Sequence, residues 1–242
     1  MKTQSKSQPL QLYMTVEHDC GYLPNLKSAN LIPDPQISMT MPLYSQLIQH
    51  GYRRSGSQTY RPHCKNCKAC IACRLPAALF KPSRNQRRCI KKNKDLEASI
   101  VPARFTDEYF ELYKNYLNTR HTDGDMVNPV ADDFKQFLYS DWSETVFIEL
   151  RKDERLIAVA VTDIVSNGLS AVYTFFDPTE EKRSLGTYCI LLQVEQAKRM
   201  QLAYLYMGYW IENCQKMLYK SNFKPMEFFV DEQWALAVDI KK

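Results

Sequence analysis

The chain has 242 residues, 45% of them hydrophobic, with 15 Tyr and 11 Phe, enough for one large core or a medium and a small one. That composition excludes a wholly disordered chain. No stretch nears the ~18 apolar residues of a membrane-spanning helix. The start, MKTQSKSQPLQ, lacks the apolar segment of a secretory signal, so a cytoplasmic location without a membrane partner is expected. Net charge is only +5, but Lys81–Lys94 holds seven cations and no acid, which leaves −2 for everything else. The positive field is local, as in a protein with one strip facing a polyanion.

Residues 1–11 read as a flexible, polar N-terminus. Residues 12–95 read as a loop-rich module. Five of the eight Cys fall within 12–80, among many Pro and Gly, and the basic strip follows as a hinge or binding ribbon. Regular structure is expected from residue 96, where LEASIV (96–101) predicts a strand. Thr106 offers a helix N-cap with Asp107 and Glu108 in the first turn, and Tyr109, Tyr113, Tyr116 and Leu117 recur at helical spacing. A second short helix fits 131–139. Strands are predicted at 145–150 and 155–165, then a hairpin turn at Asn167-Gly168 and a returning strand over 169–177, closed by Pro178. Ser184 is placed to cap a long helix reaching about Met200. A strand at 203–208, a helix at 211–220 and a strand at 226–230 complete a domain over 96–232, with 233–242 left as a tail. This α/β (α+β) order, a three-strand antiparallel meander followed by a βαβ crossover, resembles the acetyltransferase-like acyltransferase (GNAT) fold.

RPHCKNCKACIAC places Cys64, Cys67, Cys70 and Cys73 three apart. Repeated C-x-x-C turns bring thiolates to one metal, and sulfur ligation suits zinc and iron–sulfur alike. Cys20, in EHDCGYLP, is the natural distant partner. Cys89, Cys189 and Cys214 read as small buried residues. Arg84, Arg87, Arg88, Lys91, Lys92 and Lys94 recur at spacings of one to four, sharing a side on a helix or tracking a backbone on a ribbon. With no acid among them they point to RNA phosphates, while the lack of interleaved aromatics argues against base stacking there.

The turn Arg183-Ser184-Leu185-Gly186-Thr187-Tyr188 half-matches the R/Q-x-x-G-x-G/A loop that grips the coenzyme A pyrophosphate at a helix N-terminus. Tyr188 replaces the final small residue and is expected to crowd a pyrophosphate. No coenzyme A is therefore expected.

YRPHC…C…C, SRNQRR-x-x-KKN, YLNTRHTDGDM, YTFFDP…SLGTY and YMGYWIENCQKMLYKSNFKP, in that order over about residues 12–230, closely resemble the arginyl-tRNA–protein transferase family, and within it the short bacterial branch of aspartate/glutamate leucyltransferases. The resemblance implies transfer of leucine from leucyl-tRNA to proteins beginning with Asp or Glu, feeding the N-degron degradation route. Neither DNA nor a membrane is implied as a partner. It implies zinc or an iron–sulfur cluster on Cys20, Cys64, Cys67 and Cys70, with Cys73 a spare thiol. For the chemistry it suggests, Arg120, with His121 beside it, is nominated to grip the acceptor carboxylate. Asp177 and Tyr206 are nominated as catalytic, Asp177 to hold the incoming amine unless it is a plain turn aspartate. Gly186, Tyr188, Tyr209, Trp210, Lys216 and Lys220 are expected at the donor site, and Arg183 joins the basic strip in holding tRNA. Arginine as the donor, or metal-bearing RNA binding without catalysis, are the competing readings.

Overall fold

The computed structural model describes residues 9–120 and 127–237. A four-stranded sheet near the N-terminus runs β1 (Leu12–Met14), β4 (Asn30–Pro33), β6 (Gln58–Pro62), β5 (Arg53–Ser55), beside a small ribbon of β2 (His18–Asp19) and β3 (Lys27–Ser28). Helix α1 (Met41–Leu47) follows β4, its first turn capped by the Thr40 hydroxyl, which accepts from the Leu43 amide. The next strand, β7 (Ile71–Pro76), leaves this sheet and enters the large one.

Helix α2 (Arg84–Lys92) carries the basic strip, which is therefore neither hinge nor ribbon. Its helical state has a local cause: Ser83 and Gln86 form a reciprocal capping box, and Gln86 and Cys89 supply the buried side. After it come β8 (Glu97–Pro102), α3 (Asp107–Arg120) and α4 (Ala131–Leu138). Thr106 caps α3 as expected, accepting from the Tyr109 amide.

Three antiparallel strands form the meander: β9 (Thr145–Lys152), β10 (Arg155–Val165) and β11 (Gly168–Phe176). The two residues of the second hairpin turn are Ser166 and Asn167; Gly168 is already paired with Val165. Glycine stands there for another reason, since a Cβ would meet the Tyr204 carbonyl oxygen at 2.5 Å. Helix α5 (Leu185–Arg199) then crosses over to β12 (Tyr204–Trp210), which lies parallel to β11. Ser184 precedes α5 in the left-handed region and makes no side-chain cap.

The expected helix at 211–220 is instead a 3-10 turn over Gln215–Asn222. Ile211, Cys214, Lys220 and Phe223 are buried and Met217 is half-buried, a spacing of three that matches the 3-10 period rather than the α one. Two strands close the chain: β13 (Glu227–Val230), and β14 (Gln233–Leu236), which falls where a tail was expected. The large sheet runs β14-β13-β7-β12-β11-β10-β9-β8, so a strand from the Cys-rich segment lies at its heart and no break falls at residue 95. Along β10, Ala158 and Ala160 face α5, while Val159 and Val161 face the α3–α4 layer. The helices thus cover both faces of a mixed α/β sheet.

Candidate active site

Parallel pairing of β11 with β12 covers three residue pairs, Gly168–Tyr204 to Ser170–Tyr206, and then stops. A bulge between Tyr206 and Gly208 turns β12 away. The strands splay into a fork, and a cavity of about 710 Å³ opens between Ala171–Thr174 of one and Met207–Tyr209 of the other. The first residues of α5, Ser184 to Thr187, form part of its wall.

Arg53 of β5 bridges the fork. Its guanidinium donates to the Tyr206 carbonyl on β12 (3.3 Å) and to the Ala171 carbonyl on β11 (2.5 Å). It is only 8% exposed, and no carboxylate pairs with it among the described residues. Arg54, the next residue, is anchored by Asp163 through two 2.6 Å bonds and donates also to the carbonyls of Leu138 and Gly56. Neither side chain of that pair has any exposure. The hairpin from the N-terminal sheet is thus bolted to β10 by one arginine and props the fork open with the other.

Gly208 is needed for this approach. It has φ +80°, and a Cβ there would lie 3.3 Å from Arg53 Cζ. Gly208→Ala is expected to lower stability by ~1–2 kcal/mol through left-handed strain alone, and to displace Arg53; a thermal melt would register the change.

Lys220, from the 3-10 turn, reaches the same fork and donates to the Tyr209 carbonyl at 2.5 Å. Burial pushes its ammonium down to about 8, and the nearby Arg53 charge adds to the effect. Among the described residues the charged ones around the cavity are Arg53, Arg54, Arg120, Lys216 and Lys220 against the single acid Glu181, and Arg54 is already neutralised. The wall also has an apolar part, with Phe176, Leu185, Ile190 and Met207. The cavity suits an anionic group near an apolar one.

Of the residues nominated from sequence, Arg120, Gly186, Tyr209, Lys216 and Lys220 meet here. Arg120 lies 5.9 Å from the Phe176 ring centroid. Tyr209 lines the wall with its hydroxyl turned away, donating to the Gly51 and Tyr60 carbonyls. His121 lies outside the described residues. Asp177 is not in the cavity: its carboxylate caps the next turn, accepting from the Thr179 amide and hydroxyl, and faces Arg155. Tyr206 is buried on another face, packed near Tyr44 and Trp234, and hydrogen-bonds Asn167. Tyr188 points into the core, 7% exposed, so it does not crowd the turn before α5. Arg183 is held by Asp95 at 2.9 Å and Glu180 at 2.7 Å, which neutralises it. Trp210 lines a second cavity. Arg84, Arg87, Arg88, Lys91, Lys92 and Lys94 are all exposed, with Arg84, Arg87, Arg88 and Lys91 on one side of α2.

Cys20, Cys64, Cys67 and Cys70 lie near one another. The backbones of Cys64 and Cys67 pair across their C-x-x-C turn, and both thiols are free. Backbone amides donate to two of the sulfurs, Leu23 to Cys20 and Ala69 to Cys67. Burial, with Cys64, Cys20 and Cys67 nearby, pushes the Cys70 thiol up to about 12. Cys73 is apart, buried in β7 and donating to the Gly208 carbonyl. Thiols served by amide donors fit a soft metal, although among the described residues no three Cys, His, Asp or Glu side chains stand close enough to hold one ion.

Comparison with known proteins adds the family. The N-terminal family model of arginine-tRNA-protein transferases matches residues 18–88, and the C-terminal one matches 108–230. The chain belongs to the arginine-tRNA-protein transferase family. It is 49% identical over 225 residues to the aspartate/glutamate leucyltransferase of Pseudomonas fluorescens, covering 93% of this chain and 96% of that protein. It is 48% identical over 226 residues to the enzyme of the same name from Saccharophagus degradans, with the same coverage. A solved structure of L-PGS from Bacillus licheniformis aligns with 70% of this chain and 49% of its own, at 14% identity and a TM-score of 0.46, a likeness too low to bear on the site. Among the described residues no helix is long and apolar enough to cross a membrane.

Proposed function

We propose that this family member transfers leucine from leucyl-tRNA to the α-amino group of proteins beginning with Asp or Glu, marking them for N-degron degradation. The observation that carries the reading is the cationic fork: Arg53, Arg120, Lys216 and Lys220 beside an apolar wall, with Glu181 the one acid lining it among the described residues. An Asp or Glu side chain finds a cation at Arg120 or Lys216, and a leucyl side chain finds the wall of Leu185, Ile190 and Met207. An arginyl donor would need carboxylates at that wall.

The aminoacyl ester is already activated, so aminolysis needs position, a neutral amine and a home for protons and charge. The acceptor's α-amino group, with pKa about 7.7–8.0, loses one proton to water. Its nitrogen bonds to the ester carbonyl carbon, and Arg53 provides fixed positive charge for the oxyanion that forms. Neutral Lys220 takes the excess proton from the nitrogen. The carbon–oxygen ester bond then breaks, and the proton passes to the departing ribose oxygen.

Zinc or an iron–sulfur cluster on Cys20, Cys64, Cys67 and Cys70 belongs to this proposal; when bound it would cross-link the β2–β3 ribbon to the segment leading into β7. The α2 cations are proposed to hold tRNA phosphates, and the cell compartment is proposed as the cytoplasm.

The test is transfer of radiolabelled leucine, and separately arginine, from charged tRNA to peptides beginning with Asp, Glu, Lys or Ala. Label from leucine on the two acidic peptides alone is expected. Arginine transfer would keep the mechanism and overturn the donor, and no transfer of either would overturn the reading.

A further inference from the structure

Helix α2 turns its cations outward and two amide side chains inward. On the inner side Gln86 is 4% exposed and Asn93 has no exposure. Asn93 donates to the Cys89 carbonyl at 3.0 Å and to the Arg183 carbonyl at 2.9 Å, and Lys92 reaches the Lys182 carbonyl. The C-terminal end of α2 is thereby fixed to the segment that leads into α5. Gln86, near the other end, has two bonds of its own. Its side-chain oxygen accepts from the Ser83 amide at 2.8 Å, which is half of the capping box, and its NH2 group donates to the Asn222 carbonyl at 3.1 Å. The second bond has no part in the helix cap. It joins α2 to the last residue of the 3-10 turn Gln215–Asn222, 136 positions further on.

That turn walls the fork cavity through Lys216, Met217, Tyr219 and Lys220. It is poorly built to stand alone. Its 3-10 hydrogen bonds have less favourable geometry than α-helical ones, no side chain caps its first residue, and of its eight residues Lys220 alone is buried. Lys220 fixes one point by donating to the Tyr209 carbonyl of β12. A turn held there could still pivot. Gln86 supplies a second point two residues along, and the stacked rings of Phe80 and Phe223 follow directly after it.

We propose that Gln86 is a positioning residue for the transfer reaction: from the inner side of the basic helix it holds the turn that presents Lys220 to the fork. The inference rests on the reading of Lys220 as the group that takes the amine's proton. A lysine kept in the fork only by its own bond would spend part of its time swung toward water, out of reach of the attacking nitrogen and with its charge restored. The helix that offers Arg84, Arg87, Arg88 and Lys91 to a phosphate backbone thus also fixes the proton acceptor.

Two substitutions separate this anchor from the helix cap. Gln86→Glu keeps an oxygen to accept from the Ser83 amide and loses the donor to Asn222; Gln86→Met loses both. With saturating leucyl-tRNA, kcat should fall about three- to tenfold in each, the fold-change of one neutral hydrogen bond, with the KM for an Asp-initiated peptide unmoved. In a Lys220→Met background neither substitution should reduce transfer further, because the group that Gln86 positions is already gone. Losses that multiply in the double variants, or a loss confined to Gln86→Met, would overturn the inference. So would a raised KM for leucyl-tRNA with kcat unmoved, which would make Gln86 a substrate contact in the second cavity that it lines with Asn222. Amide hydrogen exchange read by mass spectrometry tests the anchor without any transfer. Exchange over Gln215–Asn222 should quicken in both variants, and over the first turn of α2 in Gln86→Met alone. If the wild type transfers no leucine, the proposed function falls and exchange still decides whether Gln86 holds the turn: an unchanged rate over Gln215–Asn222 overturns it.

Discussion

Lys220→Met should reduce leucine transfer by about 10²–10⁴-fold, the usual contribution of a positioned base, and should change the shape of the pH–rate profile. The amine that attacks must be neutral, and the group that takes its second proton must be neutral too. In the wild type both titrate near 8, the acceptor amine because of its ordinary value and Lys220 because burial pushes it down to about 8. Below pH 7 the logarithm of kcat/KM should therefore climb with a slope approaching two, levelling above pH 9. The sign follows from which form works: protonation disables both groups, so the loss lies on the acid side. In Lys220→Met only the acceptor titrates, and the limiting slope should fall to one. Arg53, Cys73 and Cys214 are the charged or titratable groups that act on Lys220. An arginine stays cationic throughout, Cys73 is buried with its thiol pushed further up, and Cys214 is still present in Lys220→Met, so a second slope carried by that thiol would persist in the variant. Lys220→Arg retains a donor for the Tyr209 carbonyl yet cannot give up its proton, and it should fail in activity while folding normally. A profile of unchanged slope in Lys220→Met would remove the lysine from the proton path.

Local pattern was enough for much of this fold. Tyr109, Tyr113 and Leu117 announced a helix with one buried side, and all three are buried in the layer under β10. Alternating β-branched runs and Pro178 marked the meander. The segment 211–220 predicts an α-helix, and the burial period of three from Ile211 to Phe223 makes a 3-10 turn of it instead. The site was harder because its members meet across long chain separations. Arg53 reaches residues 118 and 153 positions away, and nothing in YRRSG distinguishes a buried arginine from a surface one. Lys220 is legible as a wall of the donor site, but its burial, and with it the lowered pKa, depends on the turn's packing against β12. Asp177 and Arg183 stood at motif positions that favoured function, yet each is occupied by a near neighbour, Thr179 in one case and Glu180 in the other. The IACRLP strand was masked by the cysteines before it; they drew it into the Cys-rich module, whereas hydrogen bonding places it between β12 and β13.

Asp163→Ala is expected to cost ~3–5 kcal/mol of stability, the range for removing one partner of a buried ion pair. The cause is what remains: Arg54 would stay charged with no exposure, holding only neutral partners at Leu138, Gly56 and Thr145. The pair itself need not be strongly stabilising, because burying two charges offsets most of their attraction. Exchanging both residues, Arg54→Met with Asp163→Leu, should therefore recover much of the loss. Urea unfolding separates the cases: the single variant should unfold at a lower midpoint with an unchanged slope, and the double variant should return toward the wild type. A functional consequence follows from the neighbour. The β5 hairpin is fastened by Arg54 and places Arg53 in the fork, so weakening the first should loosen the second. Even at temperatures where Asp163→Ala remains folded, its transfer rate should fall while the tRNA binding proposed for α2 persists. If the single variant is destabilised by less than 1 kcal/mol, the hairpin is held by its apolar packing and Arg54 is only a passenger.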